Sequence, residues 1–195
     1  MSKTLEFYFD VGSPTAYLAH KRLGQLQRQY ALQVEHRPML LGGVFKATQN
    51  TSPVAVPAKG AYMLNQDLPR FARRYGVTLN FNPHFPINTL TLMRGVLAAR
   101  RLDCVQAYVD AVFDAVWVEG QNMEAGNVVE AVLADKGLDA AALLALTQDA
   151  QVKAELIHCT EEAVARGVFG APTLFLGDDM YFGQDRLDFV EERLA

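Results

Sequence analysis

Stretches patterned like paired strands occur only at the two ends of this 195-residue chain, and most of the sequence between them has a helical pattern. Near the start, Leu5, Phe7, Phe9 and Val11 alternate with Glu6, Tyr8 and Asp10, the period of a pleated strand with one face buried. Gly12 breaks that alternation. Residues 14–30 then carry Leu18, Leu23, Leu26 and Tyr30 on one helical stripe, and LQVEHRPML at 32–40 reads as a second strand. A strand, a helix and a strand in that order ask for a parallel pair with a right-handed crossover. At the far end, residues 173–176, a Gly-Asp-Asp turn at 177–179 and residues 180–182 read as a hairpin, with a last helix from near Gln184.

Between these ends, GGVFKATQNTSPVAVPA at 42–58 carries two prolines and no clear period, which predicts a loop with at most a short helical turn. A helical pattern follows from 59 to Gly76. VTLNFNPHF at 77–85 is extended and stopped by Pro86, and helices are expected near 88–102, 104–118, 126–136, 139–148 and 151–166. Without the middle block the order is βαβ followed by αββα. That is the order of a thioredoxin-like α/β fold with an all-helical domain inserted after its second strand, the arrangement of DsbA-type proteins. The expected division is a discontinuous unit of residues 1–41 and 151–195 enclosing a helical insertion at 42–150.

Composition narrows the function classes. Half of the residues are hydrophobic and 21% are charged, as in a globular domain with a sizeable core. The net charge of −4 and the dispersed cations argue against a nucleic-acid or acidic-membrane partner. No apolar run approaches the roughly 18 residues a membrane helix needs. MSKTLEFYFD shows no secretory signal pattern, so a cytoplasmic protein is expected. Cys104 and Cys159 both fall in helical patterns, where buried thiols are a better reading than a disulfide. No metal site is expected.

The strand-to-helix junction is the first candidate for chemistry. Ser13 stands where a helix N-cap belongs, and Pro14 takes the first helical position, where a missing N–H costs nothing. Capping alone accounts for such a serine. The same place also suits an anion, because unpaired N–H groups and the positive end of the helix dipole converge there. In redox enzymes of this fold a Cys-x-x-Cys pair occupies that position. Here it reads Gly12-Ser13-Pro14-Thr15, so dithiol chemistry is excluded. The fold's second landmark is a proline before the third strand, supplied by Pro172 in FGAPTLFL. A cis Ala171–Pro172 bond would leave the Ala171 backbone free to pair with an extended peptide opposite Ser13. A peptide carrying a thiol, such as glutathione, would fit that slot.

FYFDVGSPTAYLA, NTSPVAVPAKGAYMLNQDL, VFDAVWVEG and VFGAPTLFLGDDMYFGQDRLDFVEE together resemble the 2-hydroxychromene-2-carboxylate isomerases and the related kappa-class glutathione transferases. The resemblance runs from about residue 4 to residue 194. It implies that Ser13 holds a glutathione sulfur as thiolate and that Asn50 and Lys59 meet the glycyl end, with Lys59 a sensible partner for its carboxylate. It implies that Ala171, beside Pro172, pairs with the cysteinyl unit. Phe182, Gly183, Gln184 and Asp185 match the stretch that holds the γ-glutamyl end, with Arg186 beside them to pair with Asp185 or the ligand. Each has a plainer reading: Lys59 as a solvated lysine, Asn50 as a turn residue, Gln184 and Asp185 as a helix cap.

The activity so implied is isomerisation of 2-hydroxychromene-2-carboxylate to trans-o-hydroxybenzylidenepyruvate through reversible thiolate addition. A kappa-like transfer of glutathione to another electrophile, and glutathione binding without catalysis, are the alternatives. A small aromatic or electrophilic second substrate would lie against the helical block. Phe45, Tyr62, Phe85 and Trp117 are candidate walls, although aromatics in helical patterns also fill cores. Lys46 or Arg37 could meet its carboxylate. The resemblance implies a homodimer.

Overall fold

The structure, a computed structural model, describes residues 3–195. A four-stranded sheet in the order β2-β1-β3-β4 forms its centre. Strand β1 (Lys3–Phe9) runs parallel to β2 (Leu32–Pro38), with Lys3 opposite Leu32 and Phe9 opposite Pro38. On its other side β1 is antiparallel to β3 (Thr173–Leu176), which pairs in turn with β4 (Asp179–Phe182). Helix α1 (Pro14–Gln29) makes the crossover between β1 and β2.

Because β1 is central, both of its faces are covered. Leu5, Phe7 and Phe9 enter the main core, as their alternation predicts. Tyr8 and Asp10, expected on the open face, are only 1% and 2% exposed. Tyr8 joins a second cluster with Met39, Val44, Ala163, Val168 and Phe175. A polar residue in an alternating strand marks a solvated face only when nothing packs there, and here two helices do.

Those two helices are α2 (Leu41–Thr48) and, much later in the chain, α9 (Ala150–Ala165), which pack on each other. Helix α2 corrects the loop expected over 42–58. Gly42 and Gly43 depress helical propensity, but Val44 is fully buried and the Leu41 N–H reaches the Asp10 carboxylate at 2.9 Å. Tertiary packing, which local pattern does not reveal, therefore holds this helix. A single 3₁₀ turn at Pro53–Ala55 follows.

The helix expected over 59–76 is α3 (Pro57–Tyr62) and α4 (Leu68–Tyr75), joined through a π turn at Met63–Asp67 and closed by Gly76 in the left-handed region. Residues 77–85 are irregular and anchored by Asn82, whose buried amide reaches the carbonyls of Val116 and Gln121 at 2.9 Å each. Helices α5 (Leu90–Arg101), α6 (Val105–Trp117), α7 (Gly126–Asp135) and α8 (Ala140–Leu146) follow close to their predicted places. The chain ends in a 3₁₀ turn at Gln184–Arg186 and helix α10 (Leu187–Leu194). One hydrophobic core runs from β1 and α1 into α5 and α6 through Phe9, Tyr17, Phe113 and Trp117. Full burial of such side chains is worth about 1.5–3 kcal/mol each, so the core fixes the helices against the end of the sheet that carries the candidate site. Cys104 and Cys159 are free, partly buried thiols, and burial raises the pKa of both. Among the described residues, no helix is long and apolar enough to cross a membrane.

Candidate active site

The site is built where β1 hands over to α1. The Ser13 N–H donates to the Asp10 carbonyl at 3.0 Å, closing a tight turn. The Asp10 side chain fixes the same turn from below. Its Oδ1 accepts from the Gly12 N–H at 2.9 Å, and its Oδ2 accepts from the Leu41 N–H at 2.9 Å and the Thr89 hydroxyl at 3.0 Å. One carboxylate thus ties the Ser13 turn to the starts of α2 and α5. Burial pushes the Asp10 pKa up, and the three donors pull it back.

Ser13 caps α1 in the ordinary way, its Oγ accepting from the Ala16 N–H at 3.2 Å. It also looks across the chain. Ser13 Oγ lies 3.3 Å from the Ala171 carbonyl oxygen, and Thr15 Oγ1 lies 3.1 Å from that oxygen and 3.0 Å from Ser13 Oγ. The Ala171–Pro172 peptide is cis. Pro172 is itself buried, and its carbonyl accepts from the Gly183 N–H at 2.9 Å. Gly183 has a φ of +98°, open to glycine and costly for other residues, and it starts the turn that presents Gln184 and Asp185.

These elements wall a pocket of about 520 Å³. Ser13, Thr15 and Ala171 form one side, and Phe45, Asn50, Lys59 and Phe85 line it from the helical block. Phe182, Gly183, Gln184 and Asp185 line it from the hairpin and the turn after it. Phe182 packs against Phe169, another wall residue, with ring centroids 4.4 Å apart and planes tilted by 45°. Gly170 allows that contact, since a Cβ there would stand 2.8 Å from the Phe182 ring. Lys59 is the only cation among the lining residues, and Asp67 and Asp185 are the only carboxylates. The Asn50 amide is partly engaged, donating to the Phe169 carbonyl at 2.9 Å and accepting from the Thr51 N–H at 2.8 Å. Its second amide hydrogen remains for a ligand. Arg186 does not line the pocket; it pairs with Asp185 at the rim.

Residues 4–195 match the DSBA-like thioredoxin domain. The 2-hydroxychromene-2-carboxylate isomerase of Sphingobium xenophagum is 35% identical over 197 residues, which span 100% of this chain and 99% of that one. The chain belongs to the 2-hydroxychromene-2-carboxylate isomerase family of DSBA-like thioredoxin proteins. A solved structure of a 2-hydroxychromene-2-carboxylate isomerase superposes with a TM-score of 0.88 at 33% identity, covering 97% of this chain and 93% of that one. Glutathione S-transferase kappa 1 of Homo sapiens is a more distant relative, 27% identical over 213 residues that span 100% of this chain and 92% of its own.

Several residues read from sequence as possible substrate contacts lie elsewhere in this family member. Trp117 is fully buried, and its indole N–H donates to the Val11 carbonyl at 2.8 Å. It backs the pocket only indirectly, through Phe85, whose ring centroid is 5.9 Å away. Tyr62 is half exposed outside the pocket and packs under Arg70. Arg37 is held by Glu6 and Glu35 on the sheet. Lys46 points away on the far side of α2 and lines a different cavity. Phe45 and Lys46 are neighbours on α2, and adjacent positions project about 100° apart, which here sends Phe45 to the Ser13 pocket and Lys46 to the other cavity. Sequence reasoning does not reach Thr15, Asp10, Asp67 or the wall residue Phe169. Thr15 follows the capping serine by two positions, which places two hydroxyls at one helix start and was the available signal.

Proposed function

We propose that this chain is a glutathione-dependent isomerase that interconverts 2-hydroxychromene-2-carboxylate and trans-o-hydroxybenzylidenepyruvate. The observation that carries the reading is the meeting of the Ser13 hydroxyl, the start of α1 and the Ala171 backbone at the wall of one peptide-sized pocket. Glutathione has two carboxylates, one ammonium and one thiol. The pocket answers with Lys59 for one carboxylate, the backbone N–H groups of Gln184 and Asp185 for the other, the Asp185 side chain for the ammonium, and Ser13 for the sulfur. The donor set therefore fits this tripeptide.

Bound glutathione would supply a sulfur nucleophile that adds reversibly to the unsaturated acid, so that the carbon–carbon bond to be turned is single while sulfur is attached. The chain's own work is narrower. Ser13 turns its one proton from the Ala171 carbonyl toward the sulfur, favouring thiolate, and the α1 dipole adds to that preference. Thr15 keeps the Ala171 carbonyl paired when Ser13 leaves it, so the change does not strand that partly buried acceptor. Phe45 and Phe85 offer apolar wall to an aromatic second substrate on the helical side. Residues 1–41 and 151–195 supply the sulfur end of the site, and the inserted 42–150 block supplies the substrate wall. The working form is a cytoplasmic homodimer.

The test is turnover of 2-hydroxychromene-2-carboxylate with and without glutathione. Isomerisation that requires glutathione and does not consume it supports the reading. Net consumption of glutathione by other electrophiles, with no isomerisation, favours a transferase like the kappa relatives. Binding of glutathione with neither reaction would leave a non-catalytic binding protein.

A further inference from the structure

A second cavity, of about 620 Å³, lies on the opposite side of α2 between that helix, the first turns of α5 and the exposed face of α9. Its walls are mostly apolar, with Leu40, Leu90, Leu156 and Ile157 prominent, and Ile157 is 60% exposed. Three cations from three different helices line it as well: Lys46, Arg94 and Lys153. None of the three forms an ion pair among the described residues. Arg94 Nε is buried without a hydrogen-bond partner. An unpaired buried guanidinium donor is costly and is usually answered by an acceptor. The polar contribution of the opposite sign is Glu161 alone.

We propose that this groove binds a small apolar monocarboxylate, such as an aromatic acid, with its carboxylate on Arg94 and its body against Leu156 and Ile157. The volume is that of a small-molecule site. The planar guanidinium fork matches a carboxylate, and Lys46 and Lys153 add attraction. Glu161 and the apolar walls disfavour a more highly charged ligand such as a nucleotide. Because α2 separates this groove from Ser13, the inference does not rest on the glutathione reading.

The experiment is an amide NMR titration of the whole chain with sodium trans-cinnamate and, separately, with uncharged cinnamyl alcohol. The expected result is saturable shifts at Lys46, Arg94 and Ile157 with the acid and none with the alcohol. Arg94→Gln and the surface change Ile157→Asp should each weaken that binding about tenfold, while the remainder of the spectrum shows that both variants fold. Absence of groove shifts, equal shifts with the alcohol, or shifts unaltered in both variants would overturn the proposal. So would sedimentation showing that Ile157→Asp splits a dimer, which would make the groove an interface between copies of this chain. Shifts confined to Ser13, Thr15 and Phe182 would likewise overturn it, since they would place the acid in the other pocket.

Discussion

Ser13 Oγ stands 3.3 Å from the carbonyl oxygen of Ala171, a residue 158 positions further along the chain. The contact joins the first helix to the loop before β3, the two landmarks that thioredoxin-like proteins bring together. It places a hydroxyl, not a thiol, at the helix N-terminus, so sulfur chemistry there has to come from a ligand.

Capping and ligand binding by Ser13 separate in two substitutions. Glycine keeps most of an N-cap's benefit and alanine loses about 1 kcal/mol of it, yet both remove the hydroxyl. Urea unfolding should therefore rank Ser13→Gly above Ser13→Ala by roughly 0.5–1 kcal/mol. Calorimetric titration should show both losing glutathione affinity to the same extent. Affinity that instead tracks stability would make Ser13 a cap and nothing more.

Thr15→Val removes the hydroxyl that keeps the Ala171 carbonyl paired, with little change in shape. Ser13 then has to stay on that carbonyl or strand it, at a cost of about 1–3 kcal/mol. Glutathione should bind roughly ten- to a hundredfold more weakly, and Thr15→Ser should restore it. Unchanged affinity in Thr15→Val would show that Ser13 does not need to leave Ala171.

Asp10→Asn keeps the size of the side chain but replaces one acceptor oxygen by an NH₂ group. Gly12 and Leu41 present backbone N–H groups that can only donate, so one of them loses its partner. A loss of about 1–3 kcal/mol is expected in denaturant unfolding. Weaker glutathione binding should accompany it, because the same carboxylate fixes the Ser13 turn.

His36 carries a pH dependence that does not involve the site. Burial, reinforced by His20 and Arg100 and opposed by Asp110, lowers its pKa to about 4. It packs edge-on to Phe7 and Phe9, and its Nε2 is buried without a partner. A histidine held neutral in the fold but free to protonate near 6.5 when unfolded binds fewer protons in the native state. Stability should therefore be complete above about pH 6.5 and decline toward pH 4, by an amount on the order of 3 kcal/mol. His36→Leu should flatten that slope between pH 7 and pH 5 when unfolding is followed at each pH. An equal slope in the variant would assign the acid sensitivity elsewhere.

Element order was legible because strand and helix periods in this chain are clean at both ends, and it was enough for the fold. The Ser13–Pro14 junction and the proline before β3 were legible as local signals, and the family resemblance supplied the rest of the candidate glutathione set. Helix α2 was hidden because Gly42 and Gly43 mask a segment that only tertiary packing makes helical. Trp117 is ambiguous in sequence for a related reason. A helical aromatic reads the same whether it faces a pocket or the core, and its bond to Val11 is a contact between distant parts of the chain. Asp10 looked like the solvated partner in an alternating strand until both faces of β1 were covered. Its three donors come from Gly12, Leu41 and Thr89, two of them remote in sequence.

The central claim is that Ser13 holds a glutathione sulfur as thiolate, and ultraviolet thiolate absorbance of glutathione titrated with pH on the protein measures it directly. With the wild-type chain the bound thiol should ionise about one to two pH units below an ordinary thiol, and with Ser13→Ala that depression should be lost. A bound thiol that ionises at its ordinary value in the wild type, or equally low in the variant, would contradict the account.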